Sequence, residues 1–273
     1  MSFQPVLPLG GYGGWRFLNR TLETQQAQFA KSPMVQRDAA YFREKIGQVE
    51  SAADLVADRR LLRVALGAFG LDDALPNRFF IRKVLEEGTQ APDAFANRLA
   101  DKRYAALSRA FGFGDSETPL TGTAGFADRI LKSHETRQFE VAVGNQDQNM
   151  RLALNLRREL SELASGDQSE RAKWFTVMGT PPLRQVFEAA FNLPRSFGAL
   201  DLDRQLGILQ ERTRRSFGDG SISQFSDPDK IDALARQFIL RSEIQAGMMG
   251  GAARGSAALQ LLQTAAQRGP LLR

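Results

Sequence analysis

His134 is the only histidine of the chain, and there is no cysteine. Thiolate metal sites, disulfides and cysteine nucleophiles are therefore excluded, and a single imidazole rules out the usual multi-histidine zinc sites. His134 stands in ILKSHETRQFE, beside Glu135 and one turn before Gln138. A hydrolytic triad needs a nucleophile and an orienting carboxylate around such a base, but no serine occupies a Gly-x-Ser-x-Gly elbow. His134 reads as a surface or capping histidine. Paired carboxylates, the raw material of general acid–base chemistry, occur at Asp72-Asp73, Glu86-Glu87 and Asp201/Asp203. The first and third lie at expected helix starts, where acids offset exposed N–H groups and the helix dipole. Glu86-Glu87 closes a helix with Arg82 and Lys83 one turn back. None has the ligand spacing of a calcium loop.

The glycine-rich strings GGYGG (10–14) and GMMGGAARG (247–255) invite comparison with phosphate cradles. Neither follows a strand or ends in Lys-Ser or Lys-Thr, so both read as mobile linkers. Arg212, Arg214 and Arg215 form the densest basic cluster; it could touch phosphate, but the cationic end of a helix explains it as well. Net charge is +5 with a pI near 9.8. Acids and bases nevertheless intersperse along the chain, as in RDAAYFREK (37–45), the pattern of solvated helix faces, and nucleic acid is a disfavoured partner. No catalytic, cofactor-binding or metal-ligating residue is assigned, and the expectation is a protein that is not an enzyme. What remains is aromatic. Phe3, Tyr12, Trp15 and Phe17 lie in or beside residues 1–14, a stretch with four glycines and two prolines. No helical period buries them, so they either anchor this arm to the body or bind a partner.

The elements that would position these residues are helical. The apolar residues are mostly Ala, Leu and Phe, with Val and Ile sparse, and no segment alternates with a period of two. The expected fold is all-α: a multi-helix bundle with one long helical segment, about 126–164, and flexible termini. Ser32-Pro33 is a helix start, Ser51 and Asp54 a capping pair, and Asp58 the cap of a helix so apolar (Leu61 to Phe69) that it belongs at the centre of the core. Helix 78–87 should turn Phe79, Phe80, Ile81, Val84 and Leu85 inward, and Asp93 should open a helix running to Phe111. Residues 126–164 contain one glycine, Gly144, and no proline; they form either one helix of about 58 Å or two that break near Gly144-Asn145. LLRVALGAFGL (61–71) and LRQVFEAAFNL (183–193) align without gaps, a weak internal echo.

The expected organisation is a mobile N-terminal arm (1–14), a helical subdomain (15–114), a hinge-like loop (112–125), and a second helical subdomain (126–246) packed with the first as one unit. A flexible Gly/Ala-rich tail with a short helix (247–273) follows. No apolar run approaches the roughly 18 residues that span a bilayer. The start, MSFQPVLPLGGYGGWRF, lacks the basic region and continuous apolar core of a Sec signal.

The strings RDAAYFREKI, LLRVALGAFGL, FIRKVLEEG and FANRLADKRY within residues 37–114 resemble an uncharacterised alphaproteobacterial family, a domain of unknown function whose genes stand in flagellar clusters. The C-terminal strings AFNLPRSFGALDLDRQLGILQERTRRSFGD and DPDKIDALARQFI resemble it too, so the likeness covers most of residues 15–245. It implies a motility setting and no reaction. The leading expectation is a non-enzymatic flagellum-associated protein, structural or concerned with assembly or export, that touches flagellar proteins through its helices and is free to self-associate. Its place would be the flagellum or the cytoplasm, with the flagellar apparatus as an export route. The alternative is a cytoplasmic chaperone-like or regulatory module that binds a flagellar protein; a weaker one is a basic nucleic-acid-binding regulator.

Overall fold

Short polar side chains cap the starts of several helices. Asp58 accepts from the backbone N–H groups of Arg60 and Leu61, Asp147 from those of Asn149 and Met150, and Asp201 from that of Arg204. Ser51 accepts from the Asp54 N–H and donates its own proton to the Asp54 carboxylate. Each of these bonds satisfies donors that a helix start leaves unpaired.

The computed structural model describes residues 3–267, with side chains over residues 3–247. In chain order the helices are α1 (Gly11–Ala30), α2 (Pro33–Lys45), α3 (Ala52–Ala57), α4 (Arg59–Ala68), α5 (Arg78–Glu87), α6 (Phe95–Arg98) and α7 (Arg103–Phe111). Then come α8 (Phe126–Gly144), α9 (Gln148–Ser165), α10 (Glu170–Met178), α11 (Pro181–Ala190), α12 (Leu202–Phe217) and α13 (Pro228–Gln267). Short 3-10 turns join several of them, and no strand occurs among the described residues. The fold is all-α, as the composition demands.

Two apolar cores carry the packing. One gathers α2 to α5, α7 and the start of α8, with α4 at its centre: Leu61, Leu62 and every residue from Val64 to Ala68 are buried. The other gathers α1, the end of α8, and α9 to α13. Helix α8 belongs to both, with Phe126, Ile130 and Leu131 in the first core and Phe139 and Val143 in the second. The long segment 126–164 is therefore two helices. The chain breaks over Asn145–Asp147, and α9 turns back along α8 so that Arg158 pairs with Glu140 at 2.8 Å and Arg137 with Glu159 at 2.5 Å.

The packing differs from the sequence expectation in several places. Helix α1 joins the C-terminal core rather than a 15–114 unit, because an apolar stripe shows which face is buried and not against which neighbour. The arm before α1 is docked rather than loose. Phe3 stacks edge-on against Phe29, with ring centroids 5.5 Å apart, and lies 6.3 Å from Phe139; Gln25 exchanges hydrogen bonds with both backbone groups of Val6. The GGYGG string begins α1, where a Cβ on Gly14 would lie 2.0 Å from the Leu9 carbonyl oxygen. Glycine serves close approach there, not mobility.

Loop 112–125, expected to hinge, is tied down at both ends. Buried Thr121 donates to the Val49 carbonyl at 2.7 Å, and Asp115 accepts from Thr89 Oγ1 at 2.9 Å. The helix expected from Asp93 to Phe111 is interrupted between α6 and α7, and Ala94 rather than Asp93 is its N-cap. Phe79 points out to solvent, 82% exposed. Helix α13 continues through the Gly-rich string where the sequence suggests a break; residues 268–273 of the expected tail lie outside the described residues.

The echo between 61–71 and 183–193 has a shared geometry. Both helices end with a left-handed residue, Gly70 at φ 67° and Asn192 at φ 50°. Beyond each, a leucine N–H reaches back to the carbonyl five residues earlier, Leu71 to Leu66 and Leu193 to Glu188, both at 2.9 Å. This is the Schellman closure, and glycine and asparagine are the residues that enter it most cheaply.

Candidate functional site

The four aromatics singled out from the sequence do not make one surface. Trp15 is core, 2% exposed, beneath the Arg157 guanidinium. Tyr12 is half-buried, with Arg236 of α13 5.3 Å above its ring. Phe17 is half-buried beside Arg20. Phe3 sits at the far end of α1 against Phe29, 17 residues or about 25 Å from Tyr12 along the helix.

The chemistry-bearing residues are likewise built into the fold. Glu86 and Glu87 pair with Arg82 and Lys83 at 2.6 and 3.6 Å. Asp72 accepts from Gln138, and Asp201 caps α12. Among the described residues no group of three or more His, Asp or Glu stands close enough to hold a metal ion. His134 is not at the surface. It is 7% exposed between α4 and α8, where a Cβ on Gly67 would lie 2.8 Å from its Cδ2. The missing side chain at position 67 makes the space, which the local string around His134 does not reveal.

Burial pushes the His134 pKa below its ordinary 6.5, while Asp72 and Asp38 oppose that shift and Arg63 adds to it. The unfolded chain therefore takes up this proton first. The associated stability is complete above about pH 6.5 and is lost as the pH falls below it. Denaturation of the wild type and of His134→Gln at several pH values between about 7.5 and 5.5 should show the difference between them shrinking toward acid. Parallel curves would contradict this assignment.

The surface opens most clearly beside α12. The 3-10 turn Arg195–Ala199 and α12 bound a cleft of about 490 Å³. Its floor and walls include Phe197, Leu193, Leu200 and Ile208, and Arg212 and Arg215 stand exposed at its rim. Gly207 adds room, since a Cβ there would meet nothing within 4 Å. Arg214 and Arg215 both pair with Glu211, at 2.8 and 2.7 Å, in the last turns of α12. Half-buried Ile208 lies off the buried stripe of Gln205, Leu206, Leu209 and Thr213. That misplaced apolar residue was the readable signal of the cleft. Phe197 gave none, because only the turn after Pro194 brings it under α12.

A family model described as a protein of unknown function (DUF1217) matches residues 68–231, more than half of the chain. The chain belongs to this family. The DUF1217 region runs from the end of α4 to the first turn of α13 and contains the α12 cleft and the α8–α9 hairpin. The chain is also similar to a protein of Agrobacterium tumefaciens whose crystal structure came from structural genomics, at 29% identity and a TM-score of 0.72. The likeness covers 89% of this chain and 99% of that one, a larger share of the chain than the DUF1217 match. Among curated proteins none matches. No helix of the described residues is long and apolar enough to cross a membrane.

Proposed function

We propose that this DUF1217 protein is a non-enzymatic flagellum-associated component, structural or concerned with assembly or export, which acts by seating a helix of a flagellar protein in the α12 cleft. The cleft is the observation that carries the reading: an open apolar trough with arginines at its edge suits an amphipathic helix whose flank is acidic. The flagellar setting rests on the resemblance of the strings in 37–114 and 190–239. The non-enzymatic part rests on the structural duties of the candidate residues, His134 as packing, Asp201 as a cap, Glu86 and Glu87 in ion pairs.

The test is capture from motile cells by the tagged full chain and by Ile208→Asp, with melting temperatures measured alongside. The expected result is a flagellar protein retained by the wild type and lost from the variant at little change in melting temperature. Equal capture by both removes the cleft from the reading. A deletion strain with normal flagella and normal swimming removes the flagellum. Recovery only in cytosol would favour the chaperone-like alternative over a structural part, and DNA binding with a steep salt dependence would favour the regulator.

A further inference from the structure

Where the two cores meet, the end of α4, the α8–α9 hairpin and the start of α11 enclose a second cleft, of about 150 Å³. Three guanidinium groups line it. Arg103 is held by Asp101 at 2.8 Å and donates to the Gly70 carbonyl. Arg137 gives one nitrogen to Glu159. Arg151 has no carboxylate partner among the described residues; Glu140 and Glu159 of the hairpin are taken by Arg137 and Arg158. Glu140 also lines the cleft, but both its oxygens are occupied by Arg158, at 2.8 and 2.9 Å.

The arrangement is incomplete as it stands. A Cβ on Gly70 would lie 3.4 Å from Arg137 Nη1 and 3.5 Å from Arg103 Nη1, so these cationic nitrogens are within about 7 Å of each other, where like charges repel. Two buried polar atoms among the lining residues, Arg137 Nε and Asn155 Oδ1, have no hydrogen-bond partner. Asn155 is 7% exposed. Unpaired buried polar atoms are costly and uncommon, and the two ends of an asparagine amide exchange easily in assignment, so Asn155 can present a donor to the same space. Convergent cations, an uncommitted arginine and unpaired polar atoms in one small enclosure are what an anion would complete.

We propose that this inter-core cleft binds a small oxyanion, of the phosphate or carboxylate class, on Arg103, Arg137 and Arg151. Its volume admits such a group and excludes a nucleotide. The bound anion would bridge Gly70 and Arg103 of one core to α9 of the other, so occupancy would report as stability of the whole chain.

Thermal unfolding of the full chain in inorganic phosphate, in acetate and in chloride at matched ionic strength tests this. The expected result is a saturable rise in melting temperature in phosphate or acetate that chloride does not give. Whichever anion acts names the class, and both acting supports the shared chemistry. Arg151→Gln should abolish most of that rise, weakening binding at least about tenfold, while leaving the melting temperature without anion unchanged or slightly higher, because a repelling charge is gone. No rise beyond chloride means a water-filled cleft and overturns the proposal. A rise that Arg151→Gln leaves intact also overturns it, and isothermal titration of both proteins with phosphate provides the second reading.

Discussion

Phe139→Ala should cost about 3–5 kcal/mol, the range for truncating a large buried aromatic that leaves a cavity behind. Phe139 is fully buried on the half of α8 that enters the second core, with Phe29 5.8 Å away and Phe3 6.3 Å away between ring centroids. It therefore holds three things at once: the docked arm, the end of α1 and the α8–α9 hairpin. Thermal unfolding should shift down by roughly 10 °C, and the transition is expected to broaden as the second core loosens before the first. Phe139→Leu should keep most of the stability, since it fills much of the volume. A loss under about 1 kcal/mol for the alanine variant would mean that the aromatic trio does not join these elements.

Glu140→Ala is the second large effect, and its origin is charge rather than volume. Glu140 is 5% exposed and receives both ends of the Arg158 guanidinium. Burial works against the charge on Arg158, but Glu140 and Glu159 outweigh it and raise its pKa; despite its burial, Glu159 is held below the ordinary carboxylate range by Arg137 and Arg158. Removing Glu140 leaves Arg137 and Arg158 sharing Glu159, and breaking such a buried pair costs on the order of 3–5 kcal/mol. Replacing Glu140 and Arg158 together by leucines should recover much of that loss, because the apolar pair pays no desolvation penalty. Chemical denaturation of the three variants checks this. If the double variant is as unstable as Glu140→Ala, the cost lies in packing geometry and not in the orphaned charge.

Much of the fold could be read from residue types alone, because helix formation depends on neighbours three and four positions away. Ser51, Asp58 and Asp201 announced starts that the structure contains, and Gly70 an end. The all-apolar string 61–69 could only be central. The same locality explains the failures. GGYGG looked mobile because glycine is flexible in isolation, yet Gly14 is where backbone and Met150 press closest. His134 looked superficial because the space it fills is made by Gly67, on another helix. Phe79 looked internal because it adjoins Phe80 and Ile81, and only the rotation of α5 about its axis turns it outward.

By itself, then, the sequence determined the helical class, most helix starts, and the exclusion of cysteine and multi-histidine chemistry. Those properties follow from composition and from contacts within one turn. The tertiary structure decided the grouping of α1 with α9 to α13, the sharing of α8 between two cores, the trough beside α12 and the convergence of Arg103, Arg137 and Arg151. Each of these depends on residues from different elements meeting at one place, and a helical period fixes only which face of a helix must be covered, never what covers it.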